Sequence, residues 1–454
     1  MICGSCLHDN TLARALIEAG HDVQLVPLYT PIRTDEVDVS THRVFYGGIN
    51  MYLQQRVPLF RRLPKWLDRW LDQPWLINWA SGRSVKIDPV QVADLTLSIL
   101  RGREGFQRKE VERLAEWLTG DHPDVINFSN ILTAGCVPEI KRRLDVPVVV
   151  TLQGDDIFLQ GLPEPHQSQA IAEIRRLVSH IDGFIANSRY YADHMEQLLG
   201  IPRDRIEIVP LGIDVRDFEA NAECGARNAE LSSGNHSALR TPHSAFPLTV
   251  GYLARLAPEK GLHVLAEAFI LLRRMPGMDQ VRLKIAGWLG GANQSYAEGV
   301  FAKLRAAGLS VAFEYVGEVD RRGKLAFLES IDVLSVPTIY REPKGLFVLE
   351  ALAAGVPVVQ PQHGAFPEML AELGGGLLHR PEDPQDLAER LRELLLDAPR
   401  RHELGTAGRQ AVLATRNHRV MAERTAAVLS GIVQKRTRPP ERQAAQEVSA
   451  VERA

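Results

Sequence analysis

Two glutamates that lie eight positions apart mark the predicted start of a helix. Glu342 stands in the loop after an apolar, strand-like run at 333–336, and Glu350 stands on the helix predicted over 346–354. The N-terminus of a helix presents unpaired backbone amides to anions, while carboxylates accept hydrogen bonds from hydroxyl groups. The pair therefore indicates a site for a ligand that carries both phosphates and hydroxyls.

The residues around the two glutamates support this interpretation. Gly355 is typical of the end of a helix, and Pro357 prevents the helix from continuing. The amides that are expected to point at the ligand are those of Gly345, Leu346 and Phe347. Alternatively, the glutamates are a helix-start residue and a solvated surface residue, but the loop–helix–Gly–x–Pro pattern favours a binding site.

A second cluster places two cations five positions apart on one loop. Arg255 and Lys260 follow the predicted strand 248–253, at the carboxyl end where open α/β sheets bind ligands. Arginine can hold a phosphate through two parallel hydrogen bonds, and lysine adds a point charge. Alone they could be two solvated loop cations, but together with the glutamates they predict a clamp for a diphosphate.

These side chains need parallel strands to bring them together. Apolar runs of strand length alternate with helical patterns, which is typical of parallel sheets covered by helices on both faces. We predict two doubly wound α/β domains, over residues 1–214 and 248–416. The predicted strands are 22–28, 124–128, 146–152 and 183–187 in the first domain and 248–253, 281–286, 312–316, 332–336 and 356–360 in the second.

Three stretches fall outside these domains. Residues 215–247 are predicted to form a linker or insertion, residues 417–433 a helix that returns to the first domain, and residues 434–454 a disordered tail. At the other end, the helical pattern 10–19 follows the chain start with no strand before it. Either the first sheet lacks its first strand or the natural chain starts upstream, and we favour the second explanation.

The two clusters resemble motifs of the family-four retaining glycosyltransferases, also called glycosyl transferases group 1. The spacing from Glu342 to Glu350 resembles the family's Glu-x7-Glu motif. The segment from Arg255 to Gly261 resembles its Arg-Leu-x-x-x-Lys-Gly signature, although Ala254 stands where a glycine is commoner. The resemblance covers most of the chain and is most specific in the second half.

The resemblance implies the GT-B fold of two facing Rossmann-like domains, with donor and acceptor meeting between them. It implies transfer of a sugar from a nucleotide-diphosphate donor to an acceptor hydroxyl with retention of anomeric configuration. Glu350 would accept hydrogen bonds from the ribose, and Glu342 would bind hydroxyls of the donor sugar. Arg255 and Lys260 would stabilise charge on the leaving diphosphate. This hexosyltransferase-type reaction would need neither a metal ion nor a resident cofactor.

Two glycines are also implied to lie at the donor. Gly4 falls where the family has a glycine-rich loop that faces the donor phosphates, and its missing Cβ would let the backbone approach the ligand. Gly287 directly follows the predicted strand 281–286 and would lie near the nucleotide. A weaker match is the segment 210–214, which resembles the family's interdomain Pro-Asn-Gly-Val-Asp with Leu211 in place of the asparagine.

The acceptor side departs further from the family pattern. Gln153 stands where many members carry a histidine, and a glutamine can still donate and accept hydrogen bonds. Asp155 and Asp156 could bind an acceptor hydroxyl. Alternatively, the two aspartates cap a helix that starts before Ile157.

Composition argues against several other classes of protein. The net charge of -3 gives no general attraction to nucleic acid, and no nucleic-acid partner is expected. Four cysteines are too few for a disulfide framework, and they favour a cytoplasmic location. Cys3 and Cys6 could form a redox pair or half of a metal site, but only His8 lies nearby as a further ligand.

A basic, tryptophan-containing segment runs from Phe60 to Leu71 and has the spacing of an amphipathic helix. It could contact a membrane peripherally or line an acceptor groove, but we favour a helix packed on the first domain. The predicted partners are thus a nucleotide-sugar donor and a glycan, lipid-linked or small-molecule acceptor.

Two other functions stay open at this point. A sugar-nucleotide epimerase of the same fold class would change the sugar nucleotide without an acceptor. A non-catalytic sugar-nucleotide-binding protein would bind the nucleotide without turnover.

Overall fold

The structure is a computed structural model that describes residues 4–29, 31–32, 34–41, 43–46, 55, 89–219 and 247–437. The segment from Phe60 to Leu71 lies outside these residues, as do most of the predicted linker and most of the predicted tail. Cys3 and Cys224 also lie outside them. The predictions that concern these parts stay predictions.

Contacts divide the chain into two units, which we name by their sheets. The four-stranded unit comprises Ala13–Ile32, Asp38–Val209 and Ala422–Ala454. The six-stranded unit comprises Met1–Leu12, Arg33–Val37 and Pro210–Met421. Each unit contains one parallel sheet with helices, which confirms the predicted class of two Rossmann-like α/β domains.

The four-stranded unit is built on a sheet in the order β1-β2-β3-β4, with all strands parallel. Its strands are β1 Ile126–Phe128, β2 Val148–Thr151, β3 Gly183–Ala186 and β4 Ile206–Ile208. The three valines of β2 have no exposed surface, as expected for a strand covered on both faces. The helices that precede β4 in the chain are α1 Gly4–Glu18, α2 Pro89–Leu100, α3 Arg108–Asp121, α4 Val137–Arg143, α5 Asp155–Gln160, α6 His166–Val178 and α7 Arg189–Leu199, and α1 begins in the six-stranded unit.

The six-stranded unit has the sheet order β10-β9-β8-β5-β6-β7. Its strands are β5 Thr249–Leu253, β6 Arg282–Ala286, β7 Phe313–Gly317, β8 Val333–Leu334, β9 Val358–Pro361 and β10 Gly376–His379. Its helices are α8 Leu262–Leu272, α9 Gln294–Ala306, α10 Arg321–Glu329, α11 Leu346–Ala353, α12 Phe366–Leu373, α13 Pro384–Leu396 and α14 Ala398–Thr415. Counted from β5 as the first strand, the order is 3-2-1-4-5-6, that of doubly wound nucleotide-binding folds. The direction of winding reverses between β5 and β8, and ligands bind at such switch points.

The last described helix, α15 His418–Thr437, packs on the four-stranded sheet. The Cδ1 atom of Ile432 occupies the space beside Gly183, where a Cβ on the glycine would lie 2.6 Å from it. Arg436 also pairs with Asp145 and lies 3.6 Å from a carboxylate oxygen of Asp182. Residues that follow the six-stranded unit therefore complete the four-stranded one.

The predicted strand at 22–28 is wrong. Within it, only Leu25 forms an isolated bridge, to Ser40. Pro27 lacks an amide hydrogen, so a regular ladder is interrupted at that point. The helix that follows the chain start also begins earlier than the pattern at 10–19 predicts, because α1 already begins at Gly4.

Candidate functional site

The loops that follow β5 and β8 meet at the switch point of the six-stranded sheet. Gly261, with φ of +71°, lies so close to Pro337 that a Cβ on the glycine would be 1.8 Å from the proline carbonyl oxygen. Only glycine fits such an approach without displacing the backbone. It holds Lys260, one residue earlier, beside the loop that carries Glu342.

The ammonium group of Lys260 binds the carboxylate of Glu342, with 2.6 Å between Nζ and Oε2. The hydroxyl of Tyr340 donates to the same oxygen. The amides of Lys344 and Gly345 donate to Oε1 over 3.2 and 3.4 Å. Both oxygens of Glu342 are therefore occupied by donors. Only 13% of the Lys260 side chain and 6% of that of Glu342 are exposed, so water screens the pair little.

Glu342 is charged despite its burial. Burial raises the pKa of its carboxyl group, but the charge of Lys260 and the hydrogen bonds it receives outweigh burial and lower the pKa to about 2. Burial and the charge of Glu342 raise the pKa of Tyr340 well above its ordinary value, so its hydroxyl stays a donor. At neutral pH the cluster is thus an ion pair held by a neutral tyrosine.

Arg255 lies on the same loop as Lys260 but has a different partner in the part of the chain that the structure describes. Its guanidinium group is 3.2 Å from the carboxylate of Glu259, and 43% of its side chain is exposed. The sequence prediction grouped Arg255 with Lys260 as one clamp, whereas here the arginine extends into solvent beside the buried lysine. Its charge is therefore accessible to an anion.

Glu350 lines a pocket within the six-stranded unit together with Leu346. Their position on one helix face agrees with the spacing of four residues. The ammonium group of Lys324 lies 2.6 Å from Glu350 Oε1 and 2.8 Å from Asp35 Oδ2. Burial lowers the pKa of Lys324, but the two carboxylates outweigh burial and raise it. The carboxylate that was predicted to meet a ribose already binds a buried ammonium group.

Arg321 extends this ionic network along the pocket. Its Nη1 atom lies 3.2 Å from Glu36 Oε1, and its Nη2 atom donates to the carbonyl of Asp214 over 3.1 Å. It also pairs with Asp217. Burial, the largest cause, raises the pKa of Glu36. The pocket lining therefore contains two ion pairs, Arg321 with Glu36 and Lys324 with Glu350.

The start of α11 lies beside Lys260, whose Nζ atom is 5.6 Å from the ring centre of Phe347. Among the described residues, nothing accepts the amides of Leu346 and Phe347, whereas the amide of Gly345 is directed at Glu342. Gly4 lies against this helix, since a Cβ on it would be 3.4 Å from Leu346 Cδ1. Two of the three predicted amides are thus available to an anion.

Gly287 allows the backbone after β6 to lie close to the backbone after β5. Its φ is +143°, and a Cβ on it would lie 1.8 Å from the carbonyl oxygen of Ala254. Its amide donates to Gly317 over 2.8 Å, and its carbonyl accepts from the Tyr315 hydroxyl over 2.9 Å. In this structure Gly287 therefore fixes the loop of Arg255 against the end of β6.

The predicted acceptor-side residues form a buried cluster in the four-stranded unit. Asp155 accepts from the amide of Gln153 over 3.2 Å, which closes the turn before α5. Asp156 accepts from the Tyr191 hydroxyl over 2.8 Å and lies 3.2 Å from His194 Nε2. The N-cap position of α5 belongs to Gly154 instead of an aspartate. The aspartates thus have structural partners but are not helix caps.

Sequence reasoning missed three residues of the six-stranded unit. Tyr340 and Lys344 flank Glu342 two positions on either side, and their closeness to it in sequence could have signalled them. Lys324 has no such signal, because its pairs with Glu350 and Asp35 join distant parts of the chain. Contacts of that kind become visible only in the fold.

Metal-ligand clusters, membrane-spanning helices and disulfides are absent from the residues that the structure describes. No group of three or more histidine, cysteine, aspartate or glutamate side chains among them could hold a metal ion. None of the helices in the described ranges is long and apolar enough to cross a membrane. The described cysteines Cys6 and Cys136 form no disulfide.

Two family models match the chain. Residues 242–411 match the model described as glycosyl transferases group 1. Residues 86–217 match the model described as glycosyltransferase family 4. The first match lies in the six-stranded unit and most of the second lies in the four-stranded unit, and together they cover well over half of the chain.

Curated relatives are similar at the level of sequence. A D-inositol 3-phosphate glycosyltransferase of Corynebacterium urealyticum is 28% identical over 261 residues, which cover 57% of this chain and 59% of the relative. A glycogen synthase of Mycobacterium tuberculosis is 28% identical over 329 residues, which cover 72% of each chain. The matches to the first relatives thus span between half and two thirds of the length of those proteins.

Solved structures share the fold. Sucrose-phosphate synthase from Thermosynechococcus elongatus superposes with a TM-score of 0.65 at 18% identity and covers 93% of this chain and 92% of its own. The Anabaena protein Alr3699/HepE in complex with UDP superposes with a TM-score of 0.57 at 16% identity and covers 90% of this chain and 100% of its own. At these identities the likeness establishes the fold alone.

Proposed function

This chain belongs to the group 1 family of glycosyl transferases, and we propose that it moves a sugar from a nucleoside diphosphate to an acceptor hydroxyl with retention of anomeric configuration. The observation that carries the proposal is the arrangement at the switch point of the six-stranded sheet. There the buried Lys260 binds Glu342, the accessible Arg255 lies on the same loop as Lys260, and the first amides of α11 follow Glu342 in the chain. Such a concentration of donors suits a diphosphate.

In the proposed mechanism the positive groups act on the leaving diphosphate. Arg255 and Lys260 stabilise the charge that develops when the bond between sugar and phosphate breaks, and the amides of Leu346 and Phe347 add two further donors. The acceptor hydroxyl attacks on the face from which the diphosphate departs, and the departing phosphate takes the proton. Glu342 positions Lys260 and faces the donor sugar. Glu350 accepts hydrogen bonds from the ribose.

The proposal includes no metal ion and no resident cofactor, because the protein's own cations and amides supply the positive charge. The donor is a nucleoside diphosphate hexose that acts as a co-substrate. The acceptor is a glycan, a lipid-linked sugar or a small molecule, and Gln153, Asp155 and Asp156 belong to its binding region. We propose that the reaction takes place in the cytoplasm. Full transfer activity in the presence of a chelator is the expected result for the metal-independent reaction.

Nucleotide binding is the first test of this function. We would measure thermal unfolding of the wild type, Glu350→Gln and the control Glu389→Gln with UDP, GDP, ADP and dTDP. A ligand at 100 times its Kd stabilises a protein by about 2.7 kcal/mol, which gives a clear shift. We expect one nucleotide to shift the wild type and the control, whose Glu389 is exposed on α13. The shift should be much smaller in Glu350→Gln.

Product analysis then separates transfer from the alternatives. With the nucleotide sugar of the base identified above and a panel of acceptors, a new glycoside of the donor's anomeric configuration is the expected product. A changed sugar nucleotide without acceptor would identify an epimerase, and binding without any product would identify a sensor. No shift with any nucleotide in a cooperatively melting protein would overturn the proposed function.

A further inference from the structure

Two aromatic rings lie beside the ammonium group of Lys260. Its Nζ atom is 4.9 Å from the ring centre of Tyr340 and 5.6 Å from that of Phe347. Cations within about 6 Å of an aromatic face are attracted by its electron density. Tyr340 belongs to the loop after β8 and Phe347 to the first turn of α11, so both rings come from the segment around Glu342. The rings therefore restrict where the end of this long side chain can lie.

Two hydrogen bonds fix the orientation of that ammonium group as well as its place. One of its three hydrogens goes to Glu342 Oε2 over 2.6 Å, and a second goes to the Tyr340 hydroxyl over 2.5 Å. Within the described ranges, nothing accepts the third hydrogen. The four bonds of an ammonium nitrogen are tetrahedral, so the two fixed hydrogens and the bond to Cε leave one direction for the third. The remaining donor of Lys260 thus has a set direction.

The Tyr340 hydroxyl supplies a constraint that the two charges alone would not. It accepts from Lys260 and donates to Glu342, so it bridges the two partners of the ion pair. With Glu342 as its single acceptor, the ammonium group and its flexible stem could swing around that carboxylate, and the remaining hydrogens would sample many directions. A second acceptor prevents that motion. Alternatively, the hydroxyl only compensates for the burial of the ion pair, which would affect stability but not turnover.

We propose that Tyr340 is a positioning residue that directs the third hydrogen of Lys260 to the leaving diphosphate. The inference rests on the proposed function and adds to it a residue that neither sequence motif contains. Tyr340 acts through Lys260 and does not itself contact the donor, while the Phe347 ring gives the ammonium group a further contact. A donor group that is already oriented stabilises developing charge without reorganisation during the reaction. Loss of the hydroxyl should therefore affect the transition state more than the bound donor.

The test is to measure kcat, the KM for the donor and the melting temperature of the wild type and three variants. Tyr340→Phe keeps a ring over the ammonium group and removes only the hydroxyl. Phe347→Leu keeps the hydroxyl and removes the second ring. The control Tyr296→Phe removes another tyrosine hydroxyl of the six-stranded unit, which accepts from the amide of His263 over 3.2 Å. The donor is the nucleotide sugar of the base that shifts the melting temperature of the wild type.

We expect Tyr340→Phe to lower kcat roughly 10-fold and to leave the KM for the donor within about twofold. The loss is smaller than the roughly 10²–10³-fold that follows when such a group is removed outright, because Lys260 keeps its charge. Phe347→Leu should lower kcat by about 2- to 5-fold, since only a contact between the cation and a ring is lost. Tyr296→Phe should leave kcat unchanged.

A kcat of Tyr340→Phe equal to that of the wild type would overturn the inference and leave the proposed function standing, whether or not the variant melts at a lower temperature. A raised KM with an unchanged kcat would also overturn it, because Tyr340 would then bind the donor in its ground state. If Tyr340→Phe does not fold, Phe347→Leu decides, and a kcat equal to that of the wild type there overturns the inference. If the wild type forms no glycoside with any pair of donor and acceptor, the proposed function and this inference fail together.

Discussion

At the scale of single residues, burial decides for which side chains a substitution tests the chemistry without also changing the stability of the fold. Lys260 and Glu342 form an ion pair shielded from water, and removing one partner of such a pair leaves an uncompensated charge that costs about 3–5 kcal/mol. Substitutions there change folding and chemistry together. Arg255 is different, because its exposed pair with Glu259 contributes little to stability.

We therefore predict that Arg255→Ala lowers turnover by roughly 10²–10³-fold, the usual result of losing one donor to a developing anion. Its melting temperature should stay close to that of the wild type. The control is Arg305→Ala, which removes another exposed arginine from an ion pair on α9 and should not change turnover. Steady-state kinetics with saturating donor would measure the effect. Near-normal turnover in a folded Arg255→Ala protein would remove Arg255 from the mechanism.

The pH dependence of stability should report the Glu342 ion pair. The pKa of Glu342 falls from an ordinary value of 4.5 to about 2 in the folded state. Its stabilising contribution is therefore fully present above pH 4.5 and is lost as the pH falls through 2. By linkage it amounts to roughly 3 kcal/mol. Glu342→Gln should be less stable than the wild type at pH 7, with the difference shrinking toward pH 2.

Denaturant unfolding at several pH values would measure that difference. Asp214→Asn is a useful comparison. Burial raises the pKa of Asp214, but the hydrogen bonds and charge of Arg216 outweigh burial and lower the pKa to about 2. The difference between Asp214→Asn and the wild type should shrink over the same range. A difference between Glu342→Gln and the wild type that stays constant from pH 7 to pH 2 would contradict the assigned shift.

The sequence predicted those site residues that form a recognisable motif with their neighbours in the chain. Glu350 could be placed on the face of Leu346 because a helix repeats every 3.6 residues. The partners of these residues could not be predicted, since Lys324 reaches Asp35 across 289 positions and no local pattern encodes that distance. Polar contacts of this kind follow from packing, which sequence periodicity does not specify.

At the scale of elements, the site depends on two loops whose backbones approach so closely that a Cβ atom would not fit between them. Gly261 is the N-cap of α8, has a positive φ and lies against the carbonyl of Pro337, in the loop after β8. This contact sets the distance between Lys260 and Glu342. The two loops follow strands that are adjacent in the sheet but distant in sequence.

We predict that Gly261→Ala disrupts nucleotide binding and lowers stability by more than its backbone strain alone. Gly374 is the matched control, because its φ of +66° is similar but open space surrounds it. Gly374→Ala should cost about 1–2 kcal/mol from the left-handed conformation. Gly261→Ala adds a collision at 1.8 Å with a backbone oxygen. Denaturant unfolding and nucleotide titration of both variants would check this, and equal losses would argue against the close approach.

Strands could be predicted from the sequence where they coincide with continuous runs of apolar residues. β2, β3, β5 and β6 agree with the sequence to within a few residues, because buried parallel strands are apolar on both faces. The helix α14 escaped prediction because glycines interrupt its pattern. Gly405 and Gly408 there let the helix approach the backbone of Gly355 and Gly375. In the sequence such glycines suggest that a helix ends, whereas in the fold they are the positions where the helix contacts neighbouring backbone.

At the scale of the whole molecule, the path of the chain links the two units. The four-stranded unit contains residues from both before and after the six-stranded one. Its final helix, α15, covers Gly183 with Ile432. The stability of the four-stranded sheet should therefore depend on a segment that is remote in sequence from its strands.

We predict that Ile432→Asp destabilises the four-stranded unit by about 1–3 kcal/mol, because it puts a charge against the sheet. Ala427→Asp, on an exposed position of the same helix, is the control and should have little effect. Hydrogen exchange would locate the change. Amides of β3 should exchange faster in Ile432→Asp, while those of β5 stay protected. Equal acceleration in both sheets would show that the units do not unfold separately.

The arrangement of Gly183 under Ile432 also has a consequence for biosynthesis. Domains generally fold in order as the ribosome releases them, at about 5–20 residues per second. The strands of the four-stranded sheet emerge first, yet the helix that covers β3 emerges more than two hundred residues later. At those rates the nascent sheet waits on the order of 10 to 45 seconds for its cover. During that interval an apolar surface faces solvent, and this stage of synthesis is where we expect the protein to depend most on chaperones.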